Sequence, residues 1–339
     1  MTNAITSAIR AGDDIAPPSC CSRSGPRSIL ARGLAHTLLA ALASWAAGCL
    51  AFPEPVELGP GVYVFYGARE EPHRSNRGHV SNQGFIVAAA GVIVIDSGST
   101  AAFAEHMIGA IRARTSKPLA LVVLTRPVDD AIFGATVFQQ HGARVAAHEA
   151  AAKLIAERCA LCLRNLANEL GDDLAAGTRV PRPDRVFKGS QPLVAAGRRL
   201  ELLDYSGAAA PGSIAVWDPE SGFLFTGGLT SFERIPETRD GVLPDWIRAL
   251  RELAQVPARG IVPAYGPAGN RSNLEAVAAY LAALDARTAQ AYADGVSLLE
   301  APRTVAIPEY RDWALYDSVH PRNVHHAYVA QERRELAKP

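Results

Sequence analysis

The stretch of this chain best suited to chemistry is residues 125–130, where a hydroxyl, a guanidinium, a proline and two carboxylates occur together. It follows a short apolar run at 121–124, which predicts a buried strand, and precedes an apolar segment beginning at Ala131, which predicts a helix. Open α/β folds commonly hold functional groups where such strands end. The loop carrying Thr125, Arg126 and Asp130 is therefore the first candidate site.

Strands and helices alternate on both sides of this loop, which predicts an α/β protein. The predicted strands are 62–66, 84–88, 91–95, 121–124, 142–148, 199–204, 213–217, 222–225 and 260–263. The predicted helices are 103–113, 149–170, 245–253 and 273–294. Two β-rich halves, each flanked by helices, favour two packed sheets with helices outside.

Composition excludes several classes of function. With 48% hydrophobic and 20% charged residues, the chain has the profile of an ordinary globular protein. Lysine and arginine number 34, aspartate and glutamate also 34, and no basic stripe or acidic tail interrupts the mixture. This balance argues against a nucleic-acid partner.

Residues 1–51 have the pattern of a leader segment. Three arginines (Arg23, Arg27 and Arg32) precede the apolar run at 34–51, which leads into the sequence FPEP. This order is typical of a secretory signal, with cleavage expected after Ala51. An uncleaved anchor, a lipoprotein-type attachment at Cys49 and a cytoplasmic protein with an unusual leader remain alternatives.

The leader defines the predicted organisation and location of the chain. Its apolar run is about 18 residues long and contains polar residues, so it is marginal for spanning a bilayer. We therefore predict a periplasmic or exported protein without a spanning membrane domain. It would consist of a folded domain at 52–300 and a tail at 301–339 that packs on that domain.

Several segments, taken in order, resemble a known family. NQGFIV (82–87), VIDSG (94–98), LFTGG (224–228) and VPAYG (262–266) resemble the signature turns of the metallo-β-lactamase fold. Further segments are similar to the quinoprotein relay system zinc metallohydrolases, exported proteins associated with quinoprotein dehydrogenases: YGA (66–68), CLRNL (162–166), FERIP (232–236) and HPRNV (320–324). The resemblance covers about residues 55–330 and implies an αββα sandwich.

The resemblance also implies a zinc site, from which this sequence departs. Active members bind one or two zinc ions through the motif T-H-x-H-x-D-H, a later histidine, a bridging aspartate and a final histidine. The bound water then attacks a carbonyl or an ester. Asp130 matches one ligand of this set. The other ligand positions carry Arg126, Val128, Ala131, Ala209 (with the register uncertain by one), Gly228 and Tyr265.

Two classes of function follow from this departure. The first is a zinc-free, non-catalytic homologue with a binding or accessory role in an exported quinoprotein dehydrogenase system, its partner being a quinoprotein or a small-molecule ligand. The second is a hydrolase that cleaves an ester, thioester or amide, either with an unrecognised zinc site or with metal-free chemistry of Arg126, Asp130 and Tyr265. A purely structural role is a third possibility.

We expect the three groups of the altered site to contact one another. The guanidinium of Arg126 is predicted to enter the space of the metal and pair with Asp130, while Tyr265 donates its hydroxyl into the same pocket. The alternative is that Arg126 extends to solvent and Asp130 caps the helix beginning near Ala131.

Other candidate groups are assigned structural roles. Asp96 is expected to hold its turn and Asp129 to be structural, with catalysis as the alternative for both. His148 is expected to be a satisfied structural histidine, with a metal ligand as the alternative. The spacing of His320, His325 and His326 is poor for a shared metal. Cys159 and Cys162 are predicted to be buried or disulfide-bonded, with redox or metal functions as alternatives. The sequence has no glycine-rich phosphate loop and no G-x-S-x-G turn.

Overall fold

The computed structural model describes residues 52–338, and the predicted leader lies outside them. The strands are β1 (Val56–Gly59), β2 (Val62–Phe65), β3 (Gln83–Val87), β4 (Val92–Ile95), β5 (Leu119–Leu124), β6 (Arg144–His148), β7 (Arg185–Phe187), β8 (Gln191–Ala195), β9 (Arg198–Asp204), β10 (Ile214–Asp218), β11 (Phe223–Ser231) and β12 (Gly260–Tyr265). The helices are α1 (Ala101–Arg112), α2 (Asp129–Ile132), α3 (Ala135–Gln140), α4 (Glu149–Leu170), α5 (Asp172–Ala175), α6 (Leu243–Leu253), α7 (Arg271–Ala293), α8 (Ala301–Thr304) and α9 (Tyr316–Leu336), with a 3₁₀ turn at Pro308–Tyr310.

The strands form two sheets. The first has the order β1-β2-β3-β4-β5-β6-β7, antiparallel as far as β4 and parallel from β4 to β7. The second has the order β12-β11-β10-β9-β8, in which only the β11–β12 pair is parallel. Because β4 and β5 are parallel neighbours, their carboxyl ends meet at one edge of the first sheet.

The layers follow from how each strand alternates its side chains. Along β5, Leu121 and Val123 face the core between the two sheets, while Val122 and Leu124 face the helices that cover the first sheet. A third cluster joins the second sheet to α6, α7 and α9. The predicted αββα sandwich is confirmed.

The main errors of prediction concern short strands and the C-terminus. Strands β1, β7 and β8 were not predicted; they are only three to five residues long. Helix α9 was missed because it contains Pro321 and buries polar residues, including His320 and Asn323. The segment from Ala301 onward packs on the body, with α9 contributing Val319, Val324 and Tyr328 to the core. Within residues 52–338, no helix is long and apolar enough to cross a membrane.

Candidate functional site

The predicted loop is held in place by the neighbouring strand end. The backbone N–H and the hydroxyl of Thr125 both donate to the carboxylate of Asp96, each over 2.7 Å. Asp96 directly follows β4 and has φ 57°, a left-handed conformation that turns its carboxylate toward β5. Asp96 therefore supports the turn, as predicted.

Arg126 lies between two carboxylates. Its Nη1 donates to Oδ2 of Asp96 and its Nη2 to Oδ1 of Asp130, each over 2.8 Å. The hydroxyl of Tyr265 donates to the other oxygen of Asp130 over 2.7 Å. The predicted pair with Asp130 and the predicted Tyr265 hydroxyl in the pocket are present, but the contact with Asp96 was not foreseen.

The alternative arrangement is wrong on both counts. The side chain of Arg126 is only 3% exposed, so it does not extend to solvent. Helix α2 begins at Asp129, its N-cap residue is Val128, and Asp130 already belongs to its first turn.

Burial and charge together fix the proton positions in this cluster. Burial opposes the charge on Arg126, but the carboxylates of Asp130 and Asp96 outweigh it and raise the pKa of Arg126 above its ordinary value. Burial, followed by the charge of Asp130, raises the pKa of Tyr265. Arg126 therefore remains a cation, and Tyr265 remains a hydrogen-bond donor.

Five of the six altered ligand positions line one cavity of about 280 Å³. Together with Asp130, the wall includes Arg126, Val128, Ala209, Gly228 and Tyr265. Ala131 is not part of it. Ala131 is fully buried in the core beneath the first sheet, and its carbonyl accepts hydrogen bonds from the backbone and hydroxyl of Ser97.

Gly228 makes room for Arg126. A Cβ atom at this position would lie 2.7 Å from Cδ of Arg126, closer than such atoms approach in proteins. The conformation of Arg126 therefore depends on the absence of a side chain at 228, so these two altered positions are coupled sterically.

The residues at this centre do not fit the zinc ion that the resemblance implies. Zinc needs three or four converging donors, and a guanidinium has no lone pair to offer. Among residues 52–338, no three histidine, cysteine, aspartate or glutamate side chains are placed to hold a metal. Asp96 and Asp130, the carboxylates nearest the centre, are both engaged by Arg126.

Arg234 is a member of the cavity wall that sequence reasoning missed. Its guanidinium carbon lies 4.1 Å from the centre of the Tyr265 ring, and the residue is 2% exposed. Within the described part of the chain, its Nε and Nη1 have no hydrogen-bond partner, and neither does Oγ of Ser213 or Nε of Arg126. The available signal was an arginine placed between Phe232 and Ile235, both of which are buried.

The cavity wall also includes carboxylates. Burial, followed by the charge of Asp130, raises the pKa of Asp129 to about 6. Burial and the charge of Glu71 raise the pKa of Glu169. Glu71 itself pairs with Arg322 over 2.7 Å. Asp129, expected to be structural, thus lies on the cavity.

The other histidine candidates lie away from the cavity. His148 caps α4 by accepting from the backbone of Ala150, and its Nε2 lies 3.3 Å from Asp204. His320 contacts the hydroxyl of Tyr280 and the carbonyl of Val305, each over 3.0 Å. These contacts agree with structural roles.

The two cysteines are a close pair of free thiols. Cys159 is buried, Cys162 is half-buried, and their sulfur atoms lie 3.5 Å apart. Burial, with the hydrogen bond from Cys162, raises the pKa of Cys159 to about 12. A thiol with so high a pKa is a weak nucleophile at neutral pH.

Comparison with known proteins identifies the fold. The sequence profile of the metallo-β-lactamase superfamily matches residues 76–265. A metallo-β-lactamase from Pontibacter korlensis is similar in structure (TM-score 0.56, 23% identity, 68% of this chain and 98% of that one). A metallo-β-lactamase from Hirschia baltica is similar to the same degree (TM-score 0.54, 19% identity, 67% and 96%).

A larger relative covers more of the chain. The stereoselective inverting sec-alkylsulfatase Pisa1 from Pseudomonas sp. has a TM-score of 0.65 and 18% identity over 84% of this chain. This chain spans about half, 52%, of the length of that enzyme. No curated protein matches the sequence significantly. At these identities the solved structures show a shared fold.

Proposed function

We propose that this chain, which belongs to the metallo-β-lactamase superfamily, is a zinc-free and non-catalytic homologue with a binding or accessory role in an exported quinoprotein dehydrogenase system. The observation that carries the proposal is the guanidinium of Arg126, held between Asp96 and Asp130 where the fold would place its metal. The cavity beside it is large enough for a small ligand.

The charge of Arg126 supports the zinc-free part of this proposal. A zinc ion would have to displace a buried cation that is paired with two carboxylates, and an uncompensated buried charge costs several kcal/mol. Val128 and Ala209, at two further ligand positions, carry no donor atoms in their side chains. Zinc binding would therefore require the cluster to be dismantled without a replacement ligand set.

The quinoprotein association is supported by two segments that resemble the relay family. FERIP (232–236) and HPRNV (320–324) lie far apart in sequence but contact each other in the fold. The side-chain amide of Asn323 donates to the carbonyl of Pro236 over 2.7 Å, and its oxygen accepts from Thr238. The contact at Asn323 is buried, and Arg234, Pro236 and Arg322 from these segments line the cavity, which suits a shared role.

A metal-free hydrolase is the second candidate, and one observation favours it. The hydroxyl of Ser213 lies at the cavity wall without a hydrogen-bond partner among the described residues. However, a serine nucleophile needs a neighbouring base. Asp130 already accepts from Arg126 and Tyr265, so it is not available for that task.

The test measures zinc content and turnover on the full chain. The protein is dialysed against Zn²⁺, its zinc is quantified by mass spectrometry, and hydrolysis of a chromogenic β-lactam and a thioester is followed. We expect substoichiometric zinc and no turnover. His325→Ala is the matched control, because His325 and His326 are adjacent and could hold zinc adventitiously.

The outcomes separate the two candidates. One zinc per chain that is lost in Asp130→Asn but kept in His325→Ala, together with turnover, would overturn the proposal. Turnover that survives chelation and is lost in Ser213→Ala would support the metal-free hydrolase instead. The accessory role is tested by cell fractionation and by co-purification with a quinoprotein dehydrogenase, and recovery in the cytoplasm alone would contradict it.

A further inference from the structure

The wall of the cavity carries both charges at different depths. Arg126, Ser213 and Arg234 are buried and form its buried part, whereas the half-buried Asp129 and the exposed Glu169 form its outer part. Among the described residues, the wall includes six carboxylates and four guanidinium groups, a formal excess of two negative charges. A ligand must be compatible with both parts.

The buried part presents hydrogen-bond donors. Nε of Arg126, Nε and Nη1 of Arg234 and the hydroxyl of Ser213 have no acceptor among residues 52–338. The remaining nitrogen of Arg234 lies 3.9 Å from the half-exposed carboxylate of Glu237. Arg126, Arg234 and Ser213 line the cavity. Burying polar groups without partners costs free energy, and a ligand oxyanion that reaches these atoms would offset that cost.

Arg234 is held in position before any ligand binds. The hydroxyl of Ser231 donates to the carbonyl of Arg234 over 2.8 Å, and Ala314 pairs with the same backbone stretch. Phe232 donates its N–H to the carbonyl of Tyr265 at the end of β12. A rigid donor loses little conformational entropy on binding, which favours specific recognition.

The outer part presents carboxylates without counter-ions. In the described part of the chain, neither Asp129 nor Glu169 forms an ion pair, whereas the neighbouring Glu71 is neutralised by Arg322. The nearest partner of Asp129 is the backbone N–H of Asp130, over 3.0 Å. An ammonium group at this position would supply the missing positive charge.

These two parts make opposite demands on a ligand with a single charge. A simple anion would satisfy the donors of Arg234 but would be repelled by the carboxylates of the outer wall. A simple cation would be attracted to Asp129 and Glu169 but would leave the buried donors unsatisfied. A ligand with both charges meets both demands.

We propose that the cavity binds a small zwitterion of the amino-acid type, with its carboxylate at Arg234 and Ser213 and its ammonium group at Asp129 and Glu169. This assignment deepens the proposed binding role and rests on it. The volume of about 280 Å³ suits a molecule of this size.

The experiment compares matched ligands on the full chain in the presence of a chelator. Glycine, 4-aminobutanoate and 6-aminohexanoate cover increasing charge separations, and each is paired with the carboxylate and the amine of the same length. Calorimetric titration is expected to show that at least one amino acid binds about tenfold more tightly than both of its singly charged analogues. If none of the three amino acids binds more tightly than both of its singly charged analogues, the proposal is overturned.

Variants at the two ends should have opposite effects on selectivity. Arg234→Gln is expected to weaken binding of the amino acid and the carboxylate about tenfold while sparing the amine. Asp129→Asn should weaken the amino acid and the amine while sparing the carboxylate. A merely structural role would weaken all three ligands equally. If Arg234→Gln does not fold, Ser213→Ala tests the same end.

Two substitutions outside the cavity serve as matched controls. Arg271 and Glu275 form an exposed ion pair on α7, so Arg271→Gln and Glu275→Gln should bind every ligand as the unmodified protein does. Equal losses in these controls would overturn the assignment. Zinc-dependent turnover with intact zwitterion selectivity would refute the proposed function alone, whereas lost selectivity without turnover would refute this inference alone.

Discussion

Arg126 and Arg198 are both buried arginines paired with buried aspartates, yet their surroundings differ. Arg198 donates through Nε and Nη2 to the two oxygens of Asp218, over 2.9 and 2.6 Å, and its third nitrogen faces Glu220. Arg126 instead divides its Nη atoms between Asp96 and Asp130, and its Nε has no partner among the described residues.

The difference separates a structural ion pair from a candidate site. Arg198 and Asp218 lie on the adjacent strands β9 and β10, away from the cavity, and every guanidinium nitrogen is used. Arg126 lies on a loop beside the cavity with one nitrogen unused. A buried charge pair alone says little about function, whereas the unsatisfied donors next to the cavity are the groups that the proposed ligand would satisfy.

The largest effect is expected from Arg126→Met. Removing the cation leaves Asp96 and Asp130 buried without a counter-ion, so the free energy of unfolding should fall by about 3–5 kcal/mol at pH 7.5. Protonation of the carboxylates relieves this penalty, and the loss should be smaller at pH 5. Denaturant unfolding at both pH values measures it, and a loss independent of pH would contradict this account.

Arg198→Met is the matched counterpart, with a slightly smaller effect. It leaves one fully buried carboxylate, that of Asp218, which keeps the hydroxyl of Ser221 as a partner. We expect a loss of about 3 kcal/mol in the free energy of unfolding and a weaker pH dependence than for Arg126→Met. Identical pH profiles for the two variants would remove the distinction between the clusters.

Gly228→Ala tests the steric coupling within the first cluster. The added methyl group meets Cδ of Arg126 at 2.7 Å, so the arginine must shift, and we expect a loss of about 1–3 kcal/mol in unfolding free energy. Gly109→Ala is the control, because no atom lies within 4 Å of its Cβ position on α1. That variant should be stabilised by about 0.5–1 kcal/mol, and equal behaviour of the two would exclude the coupling.

Asp129→Asn should stabilise the protein. Its pKa is about 6, above the ordinary 3.8, so the folded state holds a proton that the unfolded state releases between these values. Stability therefore falls as pH rises from about 4 to about 6, and an asparagine escapes this loss. Because the residue is partly exposed, we expect a gain of about 1 kcal/mol at pH 7, absent below pH 4, in denaturant unfolding.

Asp173→Asn is the control in which the pKa of the replaced aspartate is lowered instead of raised. Its hydrogen bond from Arg74 lowers the pKa of Asp173 to about 2. The folded state therefore favours the charged form of Asp173. The substitution should not stabilise the protein at any pH. Stabilisation in both variants would point to a general effect of removing negative charge.

Arg234→Gln should have the smallest effect on folding. It removes the stacking on Tyr265, a contribution of about 0.5–2 kcal/mol, but also removes buried donors that lack partners. The net change in unfolding free energy should stay within about 1 kcal/mol. A loss as large as that of Arg198→Met would show that Arg234 has a structural role, as Arg198 has, and would contradict its assignment to a ligand site.

Sequence patterns predicted the long elements of the fold because their periodicity reflects burial directly. Residues 149–170 were predicted as a helix and form α4 with the same bounds. Short strands such as β7 have too few residues to show alternation. Helix α9 was not predicted because its buried face includes His320 and Asn323, whose side chains hydrogen-bond to Tyr280 and to other buried groups.

Two kinds of information made part of the site predictable. Arg126 and Asp130 are four residues apart, so their contact is local, whereas Tyr265 was identified by its place in the family pattern. Asp96 was assigned only a turn because the sequence does not show that β4 and β5 are neighbours. Arg234 lies 108 positions from Arg126, and its burial depends on loops that meet only after folding.

The sequence by itself determined which donor atoms stand at the positions that the resemblance assigns to zinc ligands, because side-chain chemistry does not depend on conformation. An arginine, a valine, two alanines, a glycine and a tyrosine at the ligand positions cannot form a histidine-rich zinc site in any fold. Only the tertiary structure decided which charges are paired. The folded arrangement of β4, the loop after β5 and the end of β12 pairs Arg126 with two carboxylates. Among residues 52–338 it leaves Arg234 and Asp129 without partners of opposite charge at close range.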